Sequence, residues 1–484
     1  MSRAGGLTSA ELAERSAGLA ALWYRAGFAR GLAEALGAHH TLTKGCIVTG
    51  RRVALSIALA WPAASVPAQT LRVGTPTLVA VGSDEHPITE PHVAVDPSHP
   101  ERIVAAAYIS AAPRLRWPAG QDEQTCAAFL SLDSGASWTR HDFGASWCAD
   151  PWVAITPDGH VIVTMVGKHP QLPHQGNGGG IAFRSSDGGR TWDSLPTGLG
   201  RNHDHPTMAV DVSHGPHRGW IYLSSHRARS ADDGRSRYGV YVARSRNAGS
   251  SFDEPAYVVP NNLHNLAEMP VVLSDGTLVQ SYVDASYFPD SGSKPSEVLF
   301  DRRRAWVIRS TDGGFTFSAP SFVTDACGPP PGYRLSAFAA DVSRSQSDGR
   351  LYFACRAAGG GPIVVTHSRD RGETWSPATS VEAMPRDTIG YPIPGLAVND
   401  RGIVLVAWLG PSGDPRGRCG TNLYASASAD GGLTFSARSL VASCAGGGDY
   451  FGITAIPGGQ FRLVWPERAG GVQQLRTASV AIAP

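Results

Sequence analysis

One octapeptide pattern, Ser/Thr-x-Asp-x-Gly-x-Ser/Thr-aromatic, occurs six times in this 484-residue chain. The copies run Ser131–Trp138, Ser185–Trp192, Ser245–Phe252, Ser310–Phe317, Ser368–Trp375 and Ser428–Phe435, with first residues 54, 60, 65, 58 and 60 apart. Asn247 stands in the third copy where the others carry Asp133, Asp187, Asp312, Asp370 and Asp430. Chance does not space six such segments so evenly, so the chain is built from one repeated unit. The octapeptide itself predicts a hairpin turn. The carboxylate accepts backbone N–H groups of its own turn, Gly takes φ > 0, the hydroxyl closes the loop and the aromatic tucks beneath.

Each copy has the same surroundings. An apolar strand starts beside a Pro or small residue, as in Pro91–Val95, Pro151–Ile155, Pro206–Val210 and Pro394–Val398. A turn, a second strand, a longer polar loop and a third strand lead into the octapeptide, and a fourth strand leaves it. With 56 Gly, 35 Pro, 42% hydrophobic and only 17% charged residues, the composition suits short strands and tight turns around a large core, and excludes disorder. These octapeptides are Asp boxes, and over residues 70–484 the chain resembles the sialidase-like β-propeller superfamily. The resemblance implies four-stranded blades around a channel. Beyond the sixth box, Gly452–Ile456, Phe461–Trp465 and Leu475–Ala481 supply three strands, and a seventh box would fall past the last residue. Leu71–Val81 can supply the missing strand. The expectation is an all-β, seven-bladed β-propeller closed by pairing this N-terminal strand with the C-terminal blade; a six-bladed ring is the alternative.

Residues 9–37 read as an Ala-rich amphipathic helix. Arg51-Arg52, the apolar run Val53–Ala60 and the small residues Ser65–Ala68 then follow the order of a secretory signal peptide cleaved after Ala68. The run is too short, and broken by Pro62, to form a stable membrane anchor. The chain is therefore divided into 1–47, an N-terminal extension that is either helical or not translated, 48–68, the signal peptide, and 69–484, the propeller. This makes the protein secreted or periplasmic. Of seven cysteines, Cys46 lies upstream of the cleavage and six remain. Six cysteines allow about 15 connectivities. In a propeller the loops between second and third strands share a face with the loops between blades, which places all six on one rim. The sequential bridges Cys126–Cys148, Cys327–Cys355 and Cys419–Cys444 are expected.

Lys+Arg 42 against Asp+Glu 41 gives a net charge of +1, which excludes a nucleic-acid binder of the usual basic kind. No Gly-rich phosphate cradle is present, and no cofactor is expected. A monomer is the expected state.

The loops that share the cysteine rim converge on the channel, so ligand-binding residues are sought there. The strands nearest the channel bring Glu90, Asp150, His203, Asp204, His205, His264, Glu268, Arg334, Arg386, Tyr391, Asp449 and Tyr450. Carboxylates and Arg beside aromatic rings suit a polar or anionic glycan. His203-x-His205 has metal-ligand spacing, but no third ligand follows at a fixed interval, so no metal is expected.

The resemblance also implies a chemistry. Sialidases use a Tyr nucleophile assisted by a Glu, an Asp acid/base and three Arg on the sugar carboxylate. Glu268–Leu278 looks like the segment carrying the assisting Glu, with Tyr450 or Tyr391 in the place of the nucleophile. The chain departs from the family in three respects. No Arg lies between Val271 and Phe300, Glu90-Pro91-His92-Val93 replaces the Arg-Ile-Pro signature, and Ile103–Ala112 lacks the acid/base Asp. Two readings follow. One is a propeller that binds a glycan or other extracellular ligand without turnover. The other is a glycoside hydrolase pairing Glu268 with Asp150 or Asp204, or a polysaccharide lyase using His203 or His264 with a Tyr.

Overall fold

The computed structural model describes residues 70–483, apart from 84–85, 110–124, 173–177, 231–235, 262, 286–302, 329–335, 359–360, 383–392, 413–418 and 447. The expectations for 1–47 and 48–68, and those for Arg334, Arg386 and Tyr391, lie outside the described residues.

Seven antiparallel sheets make up the described chain. Blade 1 begins with Ile88–Val95, blade 2 with Trp147–Ile155, blade 3 with His203–Val210 and blade 4 with His264–Val272. Blades 5, 6 and 7 begin with Ala337–Ala340, Pro394–Val398 and Gly452–Ile456. These seven first strands touch one another in sequence, and the seventh touches the first, so the ring is closed. In the last blade Val472–Ile482 pairs with Leu71–Val73 and Thr77–Val81. The N-terminal segment thus supplies the missing outer edge, as two short strands rather than one. A seven-bladed β-propeller is confirmed.

The core lies between blades. Second strands such as Ile103–Ile109 and Val404–Pro411 are buried along nearly their whole length, because a neighbouring blade covers each face. They therefore read as unbroken apolar runs with little alternation. One apolar cluster joins blades 1 and 2 through Val104, Phe143, Val153 and Met165, and another joins blades 6 and 7 through Leu405, Phe451, Leu463 and Trp465.

The octapeptide turns form as the side-chain chemistry requires. In the first copy the hydroxyl of Ser131 donates to Asp133 Oδ1 at 2.8 Å, and Ser137 closes the loop through its N–H on Oδ1 (2.9 Å) and its hydroxyl on Oδ2 (2.5 Å). Gly135, at φ 89°, donates its N–H to the Ser131 hydroxyl at 2.8 Å. These donors hold the Asp133 carboxyl down at about 2. Asn247 keeps the same frame, its Oδ1 accepting the Ser251 N–H at 3.0 Å. The bridges Cys126–Cys148, Cys327–Cys355 and Cys419–Cys444 are all present.

Candidate functional site

Four successive blades share an irregularity in the first strand. The register shifts between Thr89 and His92, between Ala149 and Trp152, between Asp204 and Thr207, and between Ala267 and Pro270. Each shift is a bulge of one extra residue, two residues facing one, and each bulged pair begins with an ionisable residue: Glu90, Asp150, His205 and Glu268. Bulges bend a strand and re-aim a side chain. The first three adopt left-handed backbone, at φ 51°, 52° and 47°, where a residue with a Cβ is strained by about 1–3 kcal/mol. Such strain persists only where the surroundings fix it.

Two of these residues, Asp150 and His205, meet, with Asp204 beside them. His205 Nδ1 lies 3.2 Å from Asp150 Oδ1, across the boundary between blades 2 and 3. Asp204 Oδ2 lies 3.3 Å from Nε2 of His226, its cross-strand partner. One donor atom each from Asp150, Asp204 and His205 lie within 4.8 Å of one another, close enough to share a metal ion. Burial disfavours a charged His205, but Asp150, Asp204 and Glu90 outweigh it and push the imidazole up to about 10. The ring is therefore a cation at neutral pH. Burial would raise the Asp204 carboxyl, yet His205 and His226 hold it below the usual carboxylate range. Glu90 belongs to the same group, since burial followed by Glu90 and Asp150 pushes the Tyr108 phenol up to about 12.

Beneath the charges lies an aromatic floor. His92 stacks on Trp152 with centroids 3.7 Å apart, and its Nδ1 accepts the Val153 N–H at 3.2 Å. Burial pushes His92 down to about 3, so it stays neutral. Tyr450 meets Trp152 edge-on, and its hydroxyl donates to the Pro151 carbonyl at 3.0 Å. Burial, then the charges of Asp150 and Glu90, raise its phenol well above the usual value. The approach of Gly448 to Glu90 is close: a Cβ there would lie 2.3 Å from Glu90 Cγ, which draws the loop before Tyr450 onto the cluster.

The remaining candidates are dispersed. Glu268 is fully buried, and its Oε2 accepts the Ser336 N–H at 2.7 Å, tying blade 4 to the start of blade 5. His203 Nδ1 is 2.6 Å from the Ser225 hydroxyl, and burial, Arg227 and His226 push the ring down to about 4. His264 accepts the Tyr238 N–H at 3.3 Å; burial, Arg237 and Arg229 bring it to about 4. Asp449 is half-buried beside Tyr450. Three contributors were absent from the sequence reading: His226, Tyr108 and the bulges. Strand alternation could have found His226, which lies opposite Asp204 on the second strand of blade 3. The second strand of blade 3, Ile221–Ser230, adds cations on aromatic faces, Arg227 over Tyr241 at 4.5 Å and Arg229 over Tyr257 at 4.6 Å.

No protein-family model matches the chain. A sialidase of Micromonospora viridifaciens is 25% identical over 241 residues, covering 48% of this chain and 29% of that protein. The match thus spans less than a third of that relative. Among solved structures, a Hadza microbial sialidase aligns with a TM-score of 0.46 and 18% identity, over 78% of this chain and 76% of that one. The NanB sialidase of Streptococcus pneumoniae aligns with a TM-score of 0.46 and 10% identity, over 84% and 95%. A Dyadobacter fermentans protein of unknown function aligns with a TM-score of 0.46 and 12% identity, over 85% and 99%. The chain is similar to sialidase-like propellers, as its octapeptides indicated.

Proposed function

We propose that this chain is an exported, sialidase-like propeller that binds a glycan over Glu90, Asp150, Asp204 and His205 without cleaving it. The observation that carries this reading is the meeting of Asp150 and His205, on two consecutive strained bulges, with Asp204 beside them and Glu90 on the strained bulge of the preceding blade. Sugar hydroxyls both donate and accept, so fixed carboxylates and an imidazolium N–H suit them, while half-buried Tyr108 and Tyr238 offer ring faces.

Binding is favoured over turnover by how the candidate catalytic groups are engaged. The Tyr450 hydroxyl is committed to the Pro151 carbonyl and is hard to ionise, and the Glu268 carboxylate is committed to Ser336. Asp150 and Asp204 flank one imidazole with donor atoms within 4.8 Å, whereas glycosidase carboxylates face each other at about 5–9 Å across an open site. Three disulfides fit an oxidising compartment, and no helix among the described residues is long and apolar enough to cross a membrane.

A glycan array beside a chromogenic sialoside and a polysaccharide panel tests the reading. Wild type should bind a glycan class and turn over nothing, and Asp150→Asn or Asp204→Asn should weaken that binding at least about tenfold, the loss of one charged hydrogen bond. Sialoside hydrolysis that disappears in Glu268→Gln would refute it.

A further inference from the structure

On the face opposite the charged cluster, the first strand of several blades ends in a turn led by Asp or Asn. In blade 1, Asp96 Oδ1 accepts the N–H groups of Ser98 (2.8 Å) and His99 (3.1 Å), and Oδ2 takes Arg102 Nη1 at 2.8 Å. In blade 6, Asn399 Oδ1 accepts two N–H groups in the same way, and its Nδ2 donates to the Gly459 carbonyl of blade 7 at 2.8 Å. The second side-chain atom meets a cation in one blade and is itself a donor in the other.

Blade 3 has neither arrangement. Asp211 has no exposed surface, and its Oδ1 accepts the Ser213 N–H at 2.8 Å. Its Oδ2 is buried and has no hydrogen-bond partner among the described residues. Trp220 occupies the place of Arg102, since each accepts the N–H of its turn's Asp, Asp211 to Trp220 at 2.9 Å and Asp96 to Arg102 at 3.1 Å. The turn's own cation, Arg218, donates instead to the carbonyls of Val212 and Ser213. Arg244 is taken by Asp253. Blade 5 repeats the orphaned oxygen at Asp341 but keeps Arg350 at the Arg102 position, so blade 3 is the sharper case.

The free oxygen points at blade 4. A Cβ on Gly276, in the blade 4 hairpin, would lie 3.3 Å from Ser213 Oγ and 3.7 Å from Asp211 Oδ2. A Cβ on Gly215 would lie 3.1 Å from the same Ser213 Oγ and 3.9 Å from the Asp275 carbonyl. The Asp211 carboxylate and the Ser213 hydroxyl thus both lie beside the blade 4 hairpin, and the Asp275 carbonyl of that hairpin lies beside the blade 3 turn. A water could hydrogen-bond to Oδ2 but would leave a buried negative charge, which is costly unless a positive charge accompanies it. Donors that are all oxygen, with Asp and Ser at alternate residues of a tight turn, suit a hard cation of flexible coordination.

We propose that Asp211, with Ser213 and the Asp275 carbonyl, binds one calcium ion that fastens blade 3 to blade 4. Calcium titration of chelator-treated full-length protein, followed by calorimetry and thermal melting, tests this. Wild type should bind calcium and melt higher in calcium than in chelator. Asp211→Asn copies the residue of blade 6, so it should melt in chelator at least as high as wild type and lose its calcium response. Ser213→Ala should fold and bind calcium about tenfold more weakly, as expected for one lost ligand. A wild type that neither binds calcium nor melts differently overturns the proposal. So does a calcium response that survives in Asp211→Asn, which would place the ion elsewhere, for example at Asp150, Asp204 and His205.

Discussion

Replacing His205 with Gln should remove a pH dependence of stability on the alkaline side. Burial opposes the charged ring, but Asp150, Asp204 and Glu90 together push it up to about 10, against about 6.5 in an unfolded chain. The folded value is the higher one, so the stabilisation is fully present below about pH 6.5 and is lost as pH rises through about 10. At about 1.4 kcal/mol per pH unit the ceiling is about 5 kcal/mol. That ceiling is not reached, because the Asp204 side chain is 46% exposed and water screens its share, while the His205 and Asp150 side chains are only 7% and 12% exposed. About 2 kcal/mol is the working figure.

Urea midpoints from about pH 6 to about pH 10, for wild type and His205→Gln, supply the measurement. Tyr and Lys titrate in both proteins, so the informative quantity is the stability gap between them. It should be widest near pH 6, where the variant leaves Asp150 without its cation, and should shrink by about 2 kcal/mol toward pH 10. A gap that stays constant across the range would mean that His205 is neutral throughout, and the account of the channel mouth as a carboxylate–imidazolium cluster would fail.

The acid side should show the opposite trend: His203 and His264 sit near 4 when folded, so stability held above about pH 6.5 is lost as pH falls toward 4, and His203→Gln should flatten that limb in a fluorescence-monitored acid titration. Replacing Cys126 and Cys148 together with Ala should cost about 3 kcal/mol in urea unfolding, the loop-closure value for a bridge whose cysteines are 22 residues apart. Glu268→Ala should cost about 2–4 kcal/mol by stranding the Ser336 N–H, Glu268→Gln should cost less, and glycan binding should be unchanged in both; binding lost at undiminished stability would contradict the structural role.

Most of the fold was legible because the repeat is written in turn chemistry. The side chains of Ser131, Asp133 and Ser137 bond to one another and to N–H groups of their own turn, so their meaning survives in the bare sequence. The sequential disulfides followed once the loops were assigned to one rim. Blade closure was legible in phase but not in detail, because Gly74, whose N–H donates to the Ser479 carbonyl, lies between the two short strands of Leu71–Val81. The site was legible as a region but not as a constellation. Glu268 and Asp150 look alike in sequence, each leading a channel strand, yet one carboxylate is sealed against Ser336 and the other faces His205. That difference depends on contacts between blades, to which no local pattern is sensitive.

The element that builds the site was in view throughout, in a form that conceals its effect. Glu90-Pro91, Asp150-Pro151 and His205-Pro206 recur at one phase of the repeat, and each looks like punctuation before a strand. The strands in fact begin earlier, at Ile88, Trp147 and His203, and carry the Pro inside them. Pro has no N–H for the ladder, so a strand can hold it only at an edge or a bulge. The innermost strand of a blade offers both. The bulge at each Pro leaves the preceding residue in left-handed backbone, at φ 51°, 52° and 47°. A side chain that regular alternation would send to a blade face is thereby re-aimed toward the channel mouth. Repeating one backbone irregularity in adjacent blades is therefore sufficient to gather like charges that a regular sheet would keep apart, and His205, at the third position, supplies the cation that makes the gathering tolerable.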